Sequence, residues 1–265
     1  FDVKAFSLQR KARFVGNGAM VDSTDVPTYA SVVSRESVRI AFTLAALNGL
    51  DVLSADCEGT YLNAQPREKL YTRCGPEFGE MAGRWAIIVR ALYGAASSAA
   101  SRRSAISAVI ESLGFKPCRA DPDVWMRAAK QPDGLNHYEY ILLCTDDALV
   151  VGCNPETILR TELGRYFELK EESIGPPKIY LGGHVCKVTL DNDAEAWVFS
   201  SSQYIQAAVK NVESYLATQQ RWKAPSKAET PLQTSYRPKL NVTPELQPIE
   251  AAYYMSLIGI FPVDC

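Results

Sequence analysis

The most regular arrangement of apolar and polar positions lies between Tyr138 and Gly152, where two runs rich in β-forming residues flank the adjacent acids Asp146 and Asp147. The pattern predicts strand, tight turn, strand, with the acids at the tip. Apolar residues on both sides of the turn imply a buried hairpin. Two carboxylates at such a tip fit an ordinary Asp-rich turn or a cation site that needs clustered acids. On these residues alone the ordinary turn is preferred.

Helical spacing marks Ser34 to Asn48, with Ser34 as cap, Val38, Phe42, Ala45 and Ala46 recurring on one side and Gly49 at the terminal position. Leu50 to Asp56 reads as a buried strand that ends on an acid, followed by the turn Glu58-Gly59 and Tyr61. Lys11 to Val15 is a short strand that carries Lys11 and Arg13 on one face, and Leu70 to Arg73, Trp85 to Arg90 and Val124 to Arg127 are further short strands. Ser104 to Leu113 reads as a helix, as does the amphipathic segment Glu156 to Phe167 with Asn154 as its cap. His184 to Leu190 and Ala196 to Ser200 make a second hairpin around Asp191-Asn192-Asp193. Gln203 to Leu216 predicts a helix with Ile205, Ala208, Val209, Val212 and Leu216 inward. Thr218 to Gln247 reads as an exposed linker. The last helix, Ile249 to Ile260, carries a stripe of Tyr253, Tyr254, Leu257 and Ile258 that nothing in the sequence buries, so more chain is expected to follow. Strands and helices mix without strict βαβ alternation, which makes the class α+β.

With 47% apolar and 22% charged residues, the chain has the balance of an ordinary globular protein. A net charge of −2 argues against a uniformly basic nucleic-acid binder. The basic residues are nevertheless uneven: eight lie between Arg84 and Lys130 against three acids, and six between Lys210 and Lys239 against two. Such stretches could track a phosphate backbone, although a solvated surface is the commoner meaning. Seven cysteines without a Cys-x-x-Cys pair fit neither a disulfide framework nor a zinc site, and point to reduced thiols in an intracellular protein, cytoplasmic or nuclear. With only His137 and His184, a histidine cage or a Ser-His-Asp triad has little support, so any metal would be held by carboxylates. No apolar run approaches the roughly 20 residues of a membrane span. A start on Phe1-Asp2-Val3 without methionine suggests a fragment.

If the strand ending at Asp56 lies beside the hairpin, Asp56, Asp146 and Asp147 converge and could hold two divalent cations about 4 Å apart. Such ions lower the pKa of an attacking hydroxyl and neutralise a leaving pyrophosphate, which nucleotidyl transfer requires. Strand order is not visible in the sequence.

The chain resembles the reverse transcriptase of copia-type LTR retrotransposons. The resemblance rests on Lys11-Ala-Arg-Phe-Val15, Thr28 to Arg39, Leu50 to Asp56, Tyr61-Leu-Asn63, Arg90-Ala-Leu-Tyr-Gly94, Asp121-Pro-Asp-Val-Trp125, Ile141 to Val151, Tyr180-Leu-Gly-Gly183 and Tyr254 to Ile260, in that order. It implies a right-hand polymerase: a fingers segment over 1–50, a palm with inserted fingers elements over 51–190, thumb and linker over 191–240, and the start of a truncated connection region over 241–265. It implies catalysis and binding of Mg²⁺ (or Mn²⁺) by Asp56, Asp146 and Asp147, with Asp56 and Asp146 bridging both ions. Tyr61 would exclude a ribose 2′-hydroxyl, Lys11 or Arg13 would meet the dNTP triphosphate, and Gly94 falls in a substrate-binding segment. Tyr180, Leu181, Gly182 and Gly183 would begin the primer grip. The implied partners are an RNA or DNA template–primer and dNTP, with no membrane, and the RNase H, integrase and protease segments of a polyprotein are absent from this chain.

This sequence also departs from the family. Cys144-Thr145 precedes Asp146-Asp147 where Tyr-Val is usual; Ala95 and Ala96 replace Leu-Lys, and Arg102 replaces Trp. Thr60 replaces a small Ala before Tyr61, and Cys57-Glu58 add bulk and charge. These changes keep open a second reading, a catalytically inactive nucleic-acid-binding remnant. A third is another two-metal nucleotidyl transferase on a palm-like sheet, against which Tyr61 and the amino-terminal segment speak.

Overall fold

The computed structural model describes residues 2–3, 10–11, 14–18, 26–131, 134–218 and 244–260. The short strands β1 (Asp2–Val3) and β2 (Arg10–Lys11) pair antiparallel. The side chain of Lys11 and the whole of Arg13 lie outside the described residues, as does 219–243, the greater part of the expected linker.

Helix α1 (Arg35–Asn48) begins where the sequence places a cap. The Ser34 hydroxyl accepts a hydrogen bond from the Ser37 N–H, and Gly49 ends the helix in the left-handed region at φ 61°. A more distant acid completes that start: the Asp121 carboxylate accepts from the Ser34 N–H at 2.9 Å and from the Ser37 hydroxyl at 2.6 Å. Negative charge is favourable there because the first N–H groups of a helix have no partner within it. The buried face of α1 is Val38, Ala41, Phe42 and Ala45.

The chain then alternates between a central sheet and its cover. Strand β3 (Asp51–Asp56) leads through a 3₁₀ turn at Thr60–Asn63 to the antiparallel ribbon of β4 (Leu70–Arg73) and β5 (Trp85–Ile88). Helix α2 (Ser98–Ser112) precedes β6 (Lys116–Pro117), β7 (Val124–Lys130), β8 (Asn136–Cys144) and β9 (Asp147–Gly152). These strands form an antiparallel sheet in the order β3-β9-β8-β7-β6. The sheet puts β3 beside β9 despite the long intervening sequence.

The continuous apolar character of the hairpin follows from cover on both faces. Ile141, Leu143, Ala148 and Val150 join Ile106 and Ile110 of α2, Phe115 and Trp125, and Ile158, Leu159 and Leu163 beyond β9. Leu142, Leu149 and Val151 point the other way, into Val38, Phe42 and Ala45 of α1, with Tyr180 and Val185. Each fully buried leucine or valine contributes about 2 kcal/mol by loss of apolar surface to water. Tyr180 belongs to the small sheet β10 (Ile179–Tyr180), β11 (Gly183–Thr189) and β12 (Glu195–Ser200), and its hydroxyl donates to the Leu142 carbonyl at 3.1 Å.

Three expectations are revised. Helix α2 starts at Ser98 rather than Ser104, because Ser98, Ala100, Ser101 and Arg102 are buried although nothing in their polarity marks an inward face. The Glu156–Phe167 segment keeps the Asn154 cap, whose Oδ1 accepts from Thr157 N–H at 3.1 Å, but winds as a π-helix over Thr157–Glu162 and a 3₁₀ turn over Leu163–Arg165. Of the five inward residues expected in α3 (Ser202–Thr218), only Ala208 is buried, while Ile205 and Val209 are exposed.

The chain divides into two compact units, one of 1–181 with 185–199 and a second of 182–184 with 200–265. In the second, the Tyr215 ring stacks on Tyr253 of α4 (Pro248–Ile260) at 3.6 Å, and the Tyr253 hydroxyl donates to Asn211 Oδ1 at 2.9 Å. Tyr254 and Ile258 of the same helix remain exposed.

Candidate active site

The sheet register brings the strand-end acids together. Asp56 and Asp147 are direct partners across β3 and β9, and Cys144 faces Asp147 across β8 and β9, so that Thr145-Asp146 forms a two-residue turn. Thr145 adopts φ 43°, an unfavourable left-handed conformation for a β-branched residue. Backbone bonds hold this geometry: Cys57 N–H donates to the Asp146 carbonyl at 2.9 Å and Lys170 N–H to the Asp56 carbonyl at 3.0 Å. The Asp56 N–H donates to the Ser173 hydroxyl at 2.8 Å.

The three carboxylates have different surroundings. Asp56 Oδ2 is paired with the Lys170 ammonium. Asp146 Oδ1 accepts from the Thr60 hydroxyl at 2.6 Å and lies 3.7 Å from Arg102 Nε, and its Oδ2 accepts from the Tyr93 hydroxyl at 3.4 Å. Asp147 has no side-chain hydrogen bond or ion pair among the described residues, and its pKa is raised. Desolvation is the largest cause, and the charges of Asp56 and Asp146 add to it against Lys170 and Arg102. Two neighbouring thiols are raised as well, chiefly by burial. Burial, opposed by Arg102 and reinforced by all three acids, pushes Cys57 up to about 12. Burial and then Asp147 raise Cys144.

Hard carboxylate oxygens suit a divalent cation in kind. Their arrangement does not: among the described residues no group of three acidic, cysteine or histidine side chains is disposed to hold a metal ion. Asp56 and Asp146 are turned to cations of the chain itself.

Other expected site residues fall nearby or are explained by backbone packing. The Tyr61 ring lies 4.4 Å from that of Tyr93, whose hydroxyl reaches Asp146, so Tyr61 adjoins the acids through one intermediary. Gly94, at φ 83°, accepts at its carbonyl from Gly18 N–H at 2.9 Å; a Cβ there would come within 2.1 Å of the Gly16 carbonyl oxygen. This close approach requires glycine whether or not the segment meets substrate. Leu181 (φ 48°) and Gly182 (φ 74°) occupy the turn between β10 and Gly183 of β11.

Sequence reasoning missed Lys170 and Ser173. Lys170 stands in the acidic run Glu168 to Glu172, where a single lysine gives no local signal, and its partner is 114 residues away.

A family model described as Reverse transcriptase (RNA-dependent DNA polymerase) matches residues 2–223, and the chain belongs to that family. The copia-type likeness of the sequence motifs holds as well: the retrovirus-related Pol polyprotein from transposon TNT 1-94 of Nicotiana tabacum is 25% identical over 187 residues. That alignment covers 69% of this chain and 13% of the polyprotein, so the chain spans a small part of its relative.

Proposed function

We propose that the chain acts as an RNA-directed DNA polymerase of a copia-type retrotransposon, adding dNTPs to the 3′-hydroxyl of a primer paired with an RNA or DNA template. Family membership supports the reaction class. The observation that carries the assignment to this site is the register that makes Asp56 and Asp147 partners with Asp146 beside them in the turn. On this reading the right-hand division applies: fingers over 1–50, palm over 51–190, thumb and linker over 191–240, and connection region from 241.

Thr60 and Tyr93 would fix the Asp146 carboxylate, and Tyr61, its ring tilted against that of Tyr93, would discriminate against a ribose 2′-hydroxyl. Tyr180 to Gly183 would steady the primer, and the basic stretch after Arg84 would follow template–primer phosphates, with affinity that falls steeply as salt rises. A requirement for Mg²⁺ or Mn²⁺ belongs to the proposal, with Asp56, Asp146 and Asp147 as ligands once Asp56 and Asp146 turn from Lys170 and Arg102, as does an intracellular location. Among the described residues no helix is long and apolar enough to cross a membrane.

A second reading, an inactive nucleic-acid-binding remnant, is favoured by one observation, the guanidinium of Arg102 at 3.7 Å from Asp146. Primer extension separates the two. The polymerase reading expects more product from the native chain with Mg²⁺ or Mn²⁺ than from Asp146→Ala, and equal product defeats it. Salt-sensitive primer–template binding that survives Asp146→Ala without synthesis identifies the remnant, and absence of binding at low salt defeats that reading too.

A further inference from the structure

The carboxylates of this site already have counter-ions. Arg102 projects from α2 with its side chain 9% exposed and its Nε 3.7 Å from Asp146 Oδ1. That Nε is buried and makes no hydrogen bond among the described residues, so the carboxylate is its neutralising neighbour. Lys170 pairs with Asp56, with a side chain 30% exposed. Two positive charges among three carboxylates offset part of the negative charge that would attract a further cation, and each faces one carboxylate oxygen of Asp146 or Asp56.

We propose that Arg102 is a built-in counter-cation that occupies the place of a divalent ion at Asp146, and that metal binding to the acids requires its displacement. The inference rests on the reading of Asp56, Asp146 and Asp147 as the metal-binding acids. It goes beyond that reading in assigning the strength of metal binding to a residue outside the triad.

The two cations differ in how readily they can leave. Arg102 carries its charge on a planar, rigid guanidinium and can yield only by moving. Its side chain is 9% exposed, and such burial leaves few other rotamers. Lys170 has a flexible stem with partial access to water and can swing clear. Arg102 is therefore the dominant obstacle and Lys170 the lesser one.

The test is Mn²⁺ binding to the full chain, read by electron paramagnetic resonance of the free aquo ion, with neither nucleic acid nor dNTP present. Arg102→Gln should bind Mn²⁺ on the order of tenfold more tightly than the native chain, as expected when a unit charge a few ångströms from a partly solvated site is removed. Arg102→Trp, which fills the space with an uncharged side chain, should do the same and keeps the test readable if circular dichroism shows Arg102→Gln unfolded. Lys170→Gln should give a smaller gain, and Arg102→Gln with Asp146→Asn should lose it. Unchanged or weaker binding in Arg102→Gln and Arg102→Trp overturns the proposal, as does a gain that persists without Asp146. Because no primer is involved, failure of primer extension leaves this result intact, and failure here leaves the polymerase reading to its own assay.

Discussion

Two pairs of neighbouring aspartates in this chain, Asp121 with Asp123 and Asp146 with Asp147, stand in different surroundings, and Asp121 and Asp147 are shifted in opposite directions. Asp121 accepts hydrogen bonds from Ser34 N–H, Ser37 Oγ and Asp123 N–H, and Asp123 is buried against Arg103 with Nε–Oδ1 at 2.9 Å. Burial alone would raise the pKa of Asp121, but the bonds from Ser37, Ser34 and Asp123 outweigh it and hold the carboxyl below its ordinary value. Asp147, crowded by Asp56 and Asp146 and given no hydrogen bond, moves the other way. The first pair is a fastening between α1, α2 and β7, and the second is a store of electrostatic strain at the end of the sheet. The contrast is sharpest between Asp121, which has three donors, and Asp147, which has none among the described residues.

The largest effect expected from this contrast is at Arg103. Arg103→Ala leaves the Asp123 carboxylate, 2% exposed, buried without its cation, and should cost about 3 kcal/mol in urea unfolding. The adjacent Arg102→Gln leaves Asp146, which is 33% exposed, with its bonds from Thr60 and Tyr93, so it should cost less than Arg103→Ala although Arg102 itself is buried. Equal losses at the two arginines would erase the distinction between the fastened and the strained pair.

Next in size is Asp121→Ala, which removes the acceptor at the α1 start and should cost about 1 to 2 kcal/mol. Its pH dependence has a defined sign. Because the folded pKa is depressed, the contribution of Asp121 is present above the ordinary carboxylate value and is lost as pH falls through the lower folded value. Chemical denaturation of the native chain and Asp121→Ala at a series of acidic pH values should therefore converge at the acid end. A constant difference across the series would show that the charge is irrelevant to the cap.

What the sequence made legible follows the same division. The α1 boundaries were readable because Ser34 and Gly49 act on their immediate neighbours, and the hairpin because its alternating residues are apolar on both faces. Asp56, Asp146 and Asp147 were readable as strand-end acids. Their counter-ions were not: the Lys170–Asp56 and Arg102–Asp146 contacts depend on strand order and on an inward turn of α2, which begins in an Ala and Ser run without apolar periodicity. The π-helical winding of Thr157–Glu162 escaped for a related reason, since apolar spacing alone predicts an ordinary helix there.

The smallest effect expected is also the one of opposite sign. Asp147 is exposed by area, yet enough protein surrounds its carboxyl for desolvation to head the causes of its raised pKa. The folded chain therefore holds that proton more tightly than the unfolded chain, and folding stability falls as pH rises from the ordinary carboxylate value through the higher folded one. Above that window Asp147 is ionised beside Asp56 and Asp146, and its charge opposes folding. Asp147→Asn keeps the shape and removes the charge, so it should raise the midpoint of urea unfolding at neutral pH and lose that advantage in acid, where the native carboxyl is protonated. Partial access to water limits the size of the gain, which places it below the losses at Arg103 and Asp121. A destabilised Asp147→Asn at neutral pH would mean that Lys170 and Arg102 over-compensate the acids, and that the strain assigned to this end of the sheet is absent.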